Sequence, residues 1–178
     1  MAQQRKYAAL DADVLIKLCD GDSNAQEAVD WLSSRGVYPM VTAAVIQTLT
    51  SMAVEDKVAD NRAVAEKALK CLSIFGILDA PLEGVELDIA RLTSLRLLES
   101  GELKDSACAE IDAMVIAEAA VQNCFILLTD SKGILDAKYD DLALILLDRH
   151  LSDVLIYSPD AIASFIRRQE EETAGGGI

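Results

Sequence analysis

Lys6-Tyr7-Ala8-Ala9-Leu10-Asp11-Ala12-Asp13-Val14-Leu15-Ile16 is a short apolar run that ends on two carboxylates and then turns apolar again with helical spacing. An apolar run without alternation reads as a central strand of a parallel sheet, covered on both faces. A strand is therefore expected over residues 6–11, with a short helix from Val14 to Cys19. Two later segments also place an acid at the end of an element. Glu110-Ile111-Asp112 opens an apolar helix, and Phe125-Ile126-Leu127-Leu128-Thr129-Asp130 is a strand tipped by an acid.

Working outward, strands and helices alternate. Ser23-Asn24-Ala25-Gln26 has the form of a capping box, with Ser23 as the expected cap, and opens a helix that Arg35-Gly36 ends. Tyr38 to Val41 is a second strand, and Thr42 caps the helix that follows. A helix over 60–75 stops at Gly76, and residues 77–79 form a short strand or a connector. Residues 85–98 are amphipathic. Residues 109–121 read as a helix buried on most sides and closed by Asn123. A central strand follows over 124–129, a helix over 142–147 and a last strand over 153–157. Ser158-Pro159 then starts a terminal helix, with proline at its first position.

The alternation predicts an α/β fold: three layers, α/β/α, around a mostly parallel sheet. A single domain over 1–170 suffices, because no linker or repeat interrupts the 178 residues. The acidic, then glycine-rich end, 171–178, is expected to be a disordered tail.

In an open parallel sheet, ligands collect at the carboxyl ends of the strands. Asp11 and Asp130 fall at such ends. Asp112 opens the helix before the strand that carries Asp130, and in a crossover that helix starts on the same edge. The three acids are thus expected to converge. Grouped carboxylates repel one another unless a cation joins them, and a hard Mg²⁺ or Mn²⁺ prefers oxygen ligands. Asp11, Asp112 and Asp130 are the candidate catalytic and metal-ligating residues.

Other chemistry is scarce. One histidine, His150, near an expected helix end where a dipole contact accounts for it, is a strong filter against the chemistries that need histidine at their centre: Ser-His-Asp catalysis, zinc hydrolysis and two-histidine RNA cleavage. Four cysteines at 19, 71, 108 and 124 have no paired spacing and read as small reduced core residues of a cytoplasmic protein. No signal peptide is expected at the start, and no apolar run approaches the ~20 residues of a membrane span. A net charge of −14 disfavours nucleic acid over the surface as a whole, though bound divalent ions reverse the local sign.

The ordered set of motifs resembles the PIN-domain ribonucleases, the family that includes the VapC toxins of toxin–antitoxin pairs. Leu10-Asp11-Ala12-Asp13-Val14-Leu15-Ile16 resembles its opening strand and acid, with Asp13 in a small-polar place. Asp112-Ala113-Met114-Val115-Ile116-Ala117 resembles its later helix start, and Leu127-Leu128-Thr129-Asp130-Ser131 one form of its strand end. The resemblance implies hydrolysis of single-stranded RNA with Mg²⁺ or Mn²⁺, an antitoxin partner and a homodimer. It implies phosphate contacts from Arg62, Lys67, Lys70, Arg91 and Arg96. Two departures stand out. The family's helical Glu falls on Thr48, or on Gln47 with a one-residue slip, and Ser131 stands where a last acid often lies.

These departures keep a second reading open, a catalytically inactive PIN-like interaction module. A third is a haloacid-dehalogenase-like phosphatase, whose D-x-D motif Asp11-Ala12-Asp13 satisfies with Asp11 as nucleophile. The lysine such an enzyme carries before its late strand is missing between Ala117 and Asn123.

Overall fold

The computed structural model describes residues 6–175 apart from 105 and 107. In chain order the elements are β1 (Lys6–Leu10), α1 (Ala12–Asp20), α2 (Ser23–Ser34), β2 (Val37–Val41), α3 (Ala43–Glu55), α4 (Ala59–Ile74) and β3 (Leu78–Asp79). Then come α5 (Gly84–Ser100), α6 (Ala109–Val121), β4 (Ile126–Leu128), α7 (Lys132–Leu135), α8 (Tyr139–Asp148), β5 (Leu155–Tyr157) and α9 (Pro159–Gly175). The five strands form one sheet in the order β3-β2-β1-β4-β5, and every neighbouring pair is parallel.

β1 is central because its side chains can be buried on both faces. Ala8, Ala9 and Leu10 are sealed from solvent, as are Ile126, Leu127 and Leu128 of β4 beside it. Each fully buried leucine or isoleucine contributes roughly 1.5–3 kcal/mol relative to exposure. The register pairs Leu10 with Leu128 and Ala9 with both Leu127 and Met40. The residues just beyond, Asp11, Thr42 and Thr129, therefore line up along one carboxyl edge. This pairing positions the candidate site.

α6 is the helix wrapped in core. Ala113, Val115, Ile116, Ala117, Ala119 and Ala120 are all buried, and α5 and α3 pack against it. Small alanines on several faces let its neighbours approach closely, which is why its apolar positions follow no single stripe. Asn123 follows it in the left-handed region at φ 53°, a conformation its short polar side chain tolerates.

Several local expectations shift. Asp22, not Ser23, caps α2, accepting a hydrogen bond from the Ala25 N–H at 2.9 Å. The fourth and fifth strands are shorter than the apolar runs that suggested them. Of the four cysteines expected in the core, Cys71 and Cys124 are buried, Cys19 is half-buried, and Cys108 is exposed because it stands in the connection just before α6. Residues 77–79 resolve into the edge strand β3. α9 continues through residues 171–175, assigned above to the tail, and residues 176–178 lie outside the described ones. At the end of α1, Gly21 takes φ 79° so that its own N–H and that of Asp22 reach back to the last carbonyls of the helix.

Candidate active site

Asp11 leaves β1 and becomes the N-cap of α1. Its Oδ1 accepts from the Ala12 N–H at 2.7 Å, and its Oδ2 accepts from the Thr129 hydroxyl at 2.7 Å. Thr129 follows β4 directly, so parallel pairing of β1 with β4 sets these two groups side by side. The Thr129 oxygen in turn accepts from the Ser131 N–H at 3.0 Å. The Ser131 hydroxyl donates to Asp112 Oδ2 at 2.9 Å, and the Ser106 hydroxyl donates to the same oxygen at 2.5 Å. A continuous path of hydroxyls and one backbone amide thus joins the two carboxylates, Asp11 to Thr129 to Ser131 to Asp112.

Both carboxylates are buried, Asp11 at 7% and Asp112 at 5% exposure. Burial, followed by the negative charge of Asp13, pushes the Asp11 carboxyl up to about 6. The charge of Asp112 adds to that push, which places the two acids in electrostatic reach of each other. Burial also raises Asp13, whose Oδ1 accepts from the Val14 N–H. Among the described residues neither Asp11 nor Asp112 has an ion-pair partner.

Asp130 behaves differently. It lies between Thr129 and Ser131 at the same edge, yet its Oδ2 is held at 2.8 Å by the ammonium of Lys17 on α1. The Asp130 carboxylate raises the pKa of that lysine. Among the described residues no three His, Cys, Asp or Glu side chains form a group able to hold a metal ion by themselves. The structure brings Asp11 and Asp112 into one hydrogen-bonded network and turns Asp130 to a cation of the chain.

The fit to Mg²⁺ or Mn²⁺ rests on what is present. Buried carboxylates without a cationic partner are expensive, and such groups pair or bind metal. Mg²⁺ commonly uses one or two protein carboxylates, with waters and phosphate oxygens completing its shell. Asp11 and Asp112 suit that requirement.

The place of the missing helical acid is filled inertly. The Thr48 hydroxyl donates to the Ala44 carbonyl one turn back at 2.8 Å, and Gln47 faces solvent. Sequence reasoning missed two contributors. Lys17 is four residues beyond Asp13 on α1, a spacing that signalled only a common helix face. Glu118, 3% exposed, accepts from the Ala44 N–H at 2.8 Å and so caps α3 across the domain. That leaves the buried Thr42 hydroxyl, the expected cap, without a hydrogen-bond partner. Its signal was one acid inside an otherwise apolar helix run.

The five cations expected to meet phosphate all have partners within the chain. Arg62 donates to the Asp56 carbonyl, and Lys67, Lys70, Arg91 and Arg96 pair with Asp20, Glu66, Asp88 and Glu99.

No protein-family model and no curated protein matches this chain. Solved structures do. The VapBC2 complex of Rickettsia felis, bound to a DNA fragment from its promoter, aligns at 9% identity and TM-score 0.55, over 85% of this chain and 98% of that one. VapBC-1 of nontypeable Haemophilus influenzae aligns at 11% identity and TM-score 0.52, over 86% and 98%. VapBC-5 of Mycobacterium tuberculosis, from a family of toxin–antitoxin systems, aligns at 18% identity and TM-score 0.51, over 85% and 98%.

Proposed function

We propose, from the VapC-like PIN-domain fold that the alignments establish, that this chain hydrolyses phosphodiester bonds of single-stranded RNA at the Asp11–Asp112 edge. One observation carries the reading: two buried carboxylates, joined by a hydroxyl network and unpaired with any described cation, stand at the carboxyl edge of a parallel sheet. Asp11 and Asp112 would hold Mg²⁺ or Mn²⁺. Such an ion lowers the pKa of a bound water and offsets charge on phosphoryl oxygens. The chain's own residues prepare that chemistry. The Thr129 hydroxyl donates to Asp11 Oδ2, and Asp11 Oδ1 accepts from the Ala12 N–H at the start of α1, so the carboxylate is oriented through both oxygens. Ser106 and Ser131 fix Asp112 through one oxygen, Oδ2. Hydroxyls that support metal ligands typically contribute 10–100-fold in affinity or activity.

Cleavage of end-labelled single-stranded RNA, with and without Mn²⁺, tests the reading. Asp11→Asn and Asp112→Asn are each expected to abolish Mn²⁺-dependent cleavage, and Thr129→Val to slow it roughly 10–100-fold. Cleavage unchanged in both aspartate variants, or wild-type protein that binds no Mn²⁺ at millimolar concentration, overturns it.

The neighbours' toxin–antitoxin assemblies support an antitoxin-type protein partner. The exposed apolar side chains Leu92 and Leu95 on α5 and Leu144 and Leu147 on α8 support a homodimer. Four free thiols suit the reducing cytoplasm, and among the described residues no helix is long and apolar enough to cross a membrane.

A second reading, an inactive interaction module, is favoured by Thr48 in the acidic place and by the Lys17–Asp130 pair. Mn²⁺ titration of the wild-type protein separates the two, because the module binds none.

A further inference from the structure

Lys17 is a fixed cation beside the candidate site, held there by Asp130. Its ammonium lies 2.8 Å from Asp130 Oδ2, an oxygen that is buried and accepts no other hydrogen bond. Asp130 sits one residue from Thr129, which touches Asp11, and one residue from Ser131, which touches Asp112. Its carboxylate is therefore, with Asp13, a further acid at this edge by position, and Lys17 engages it. Lys17 comes from α1, the helix that Asp11 itself caps, so acid and lysine are carried on one rigid element. Its side chain is 38% exposed, so its head spans from solvent to the edge of the site.

We propose that Lys17 is a positioning residue that withholds Asp130 from the divalent-ion site, acting as a resident cation in place of part of the metal's charge. The inference rests on the metal-dependent reading and adds a regulatory element to it. With Lys17 in place, the ion is held by Asp11 and Asp112 alone. Without it, Asp130 is a half-buried carboxylate whose sealed Oδ2 has no partner, free to join them, and a third anionic oxygen ligand tightens binding of a hard cation.

The test is titration of the purified chain with Mn²⁺, followed by the loss of the free-ion electron paramagnetic resonance signal, a readout independent of RNA cleavage. Lys17→Met keeps the stem and helix propensity and removes the charge, whereas Lys17→Arg keeps the charge. Lys17→Met is expected to bind Mn²⁺ at least tenfold more tightly than wild type, Lys17→Arg to stay near wild type, and Lys17→Met with Asp130→Asn to lose the gain. Circular dichroism confirms folding of each variant.

Equal affinity of wild type and Lys17→Met overturns the inference, as does a gain that survives Asp130→Asn. Binding by Lys17→Met but not by wild type upholds it while refuting the metal reading for the natural chain. Binding by neither protein overturns both.

Discussion

Asp11 carries opposing demands in one side chain. It caps a helix, which favours a charged acceptor at the positive end of the dipole, and it is buried beside Asp13, which disfavours charge. Burial wins, and its carboxyl rises from the ordinary 3.8 to about 6. Between those values the folded chain holds a proton that the unfolded chain releases. The resulting stability is complete below about 3.8 and disappears as pH rises through about 6. At neutral pH the penalty is of order 2–3 kcal/mol. In the presence of a chelator, Asp11→Asn is expected to raise the melting temperature at pH 7 and to flatten the decline in stability from acid to neutral pH. Asparagine caps helices as well as aspartate does, so thermal unfolding isolates the charge. A melting temperature at or below wild type at pH 7 would contradict this account.

At the scale of elements, close contacts decide which substitutions are tolerated. In α7, a Cβ on Gly133 would lie 2.3 Å from Ser106 Cβ and 2.8 Å from Ser106 Cα. Backbone, not a flexible tip, must move. Gly133→Ala is expected to cost about 1–3 kcal/mol in urea unfolding. It should also weaken Mn²⁺ binding, because Ser106 holds Asp112. The N-terminus of α3 depends on a residue more than seventy positions away. Glu118→Leu removes the acceptor of the Ala44 N–H and should cost about 1–3 kcal/mol, since a buried donor is left unmade. Glu118→Gln keeps a carbonyl acceptor there and should cost clearly less. Equal losses for both would mean that the helix-capping bond is not what Glu118 supplies.

For the whole molecule, the charge distribution sets how RNA can be approached. A chain of net charge −14, whose five candidate phosphate-binding cations all have internal partners, has little general attraction for a polyanion. Affinity is expected to depend on divalent ions and to vary weakly with monovalent salt. The slope of log K against log salt should be smaller than about 2 in magnitude, at roughly 0.7 per phosphate contact for a single strand. Fluorescence anisotropy across a salt series measures it. A steep slope would show that Lys and Arg leave their partners to bind phosphate.

The amino-acid sequence by itself determined the layered α/β architecture. Runs such as Tyr7–Leu10 and Ile126–Leu128 are apolar at every position, and only a sheet covered on both faces buries them. It also marked Asp11, at the end of such a run, and Asp112, at the opening of an apolar helix, because both places are visible from local pattern alone. Tertiary structure decided what each acid does. Whether Asp130 faces the site or Lys17, and whether Thr42 or Glu118 caps α3, depends on side chains far apart in the chain that meet only after packing. Local periodicity reports which face is buried, whereas the partner of a buried charge is chosen by geometry that no short stretch of sequence contains.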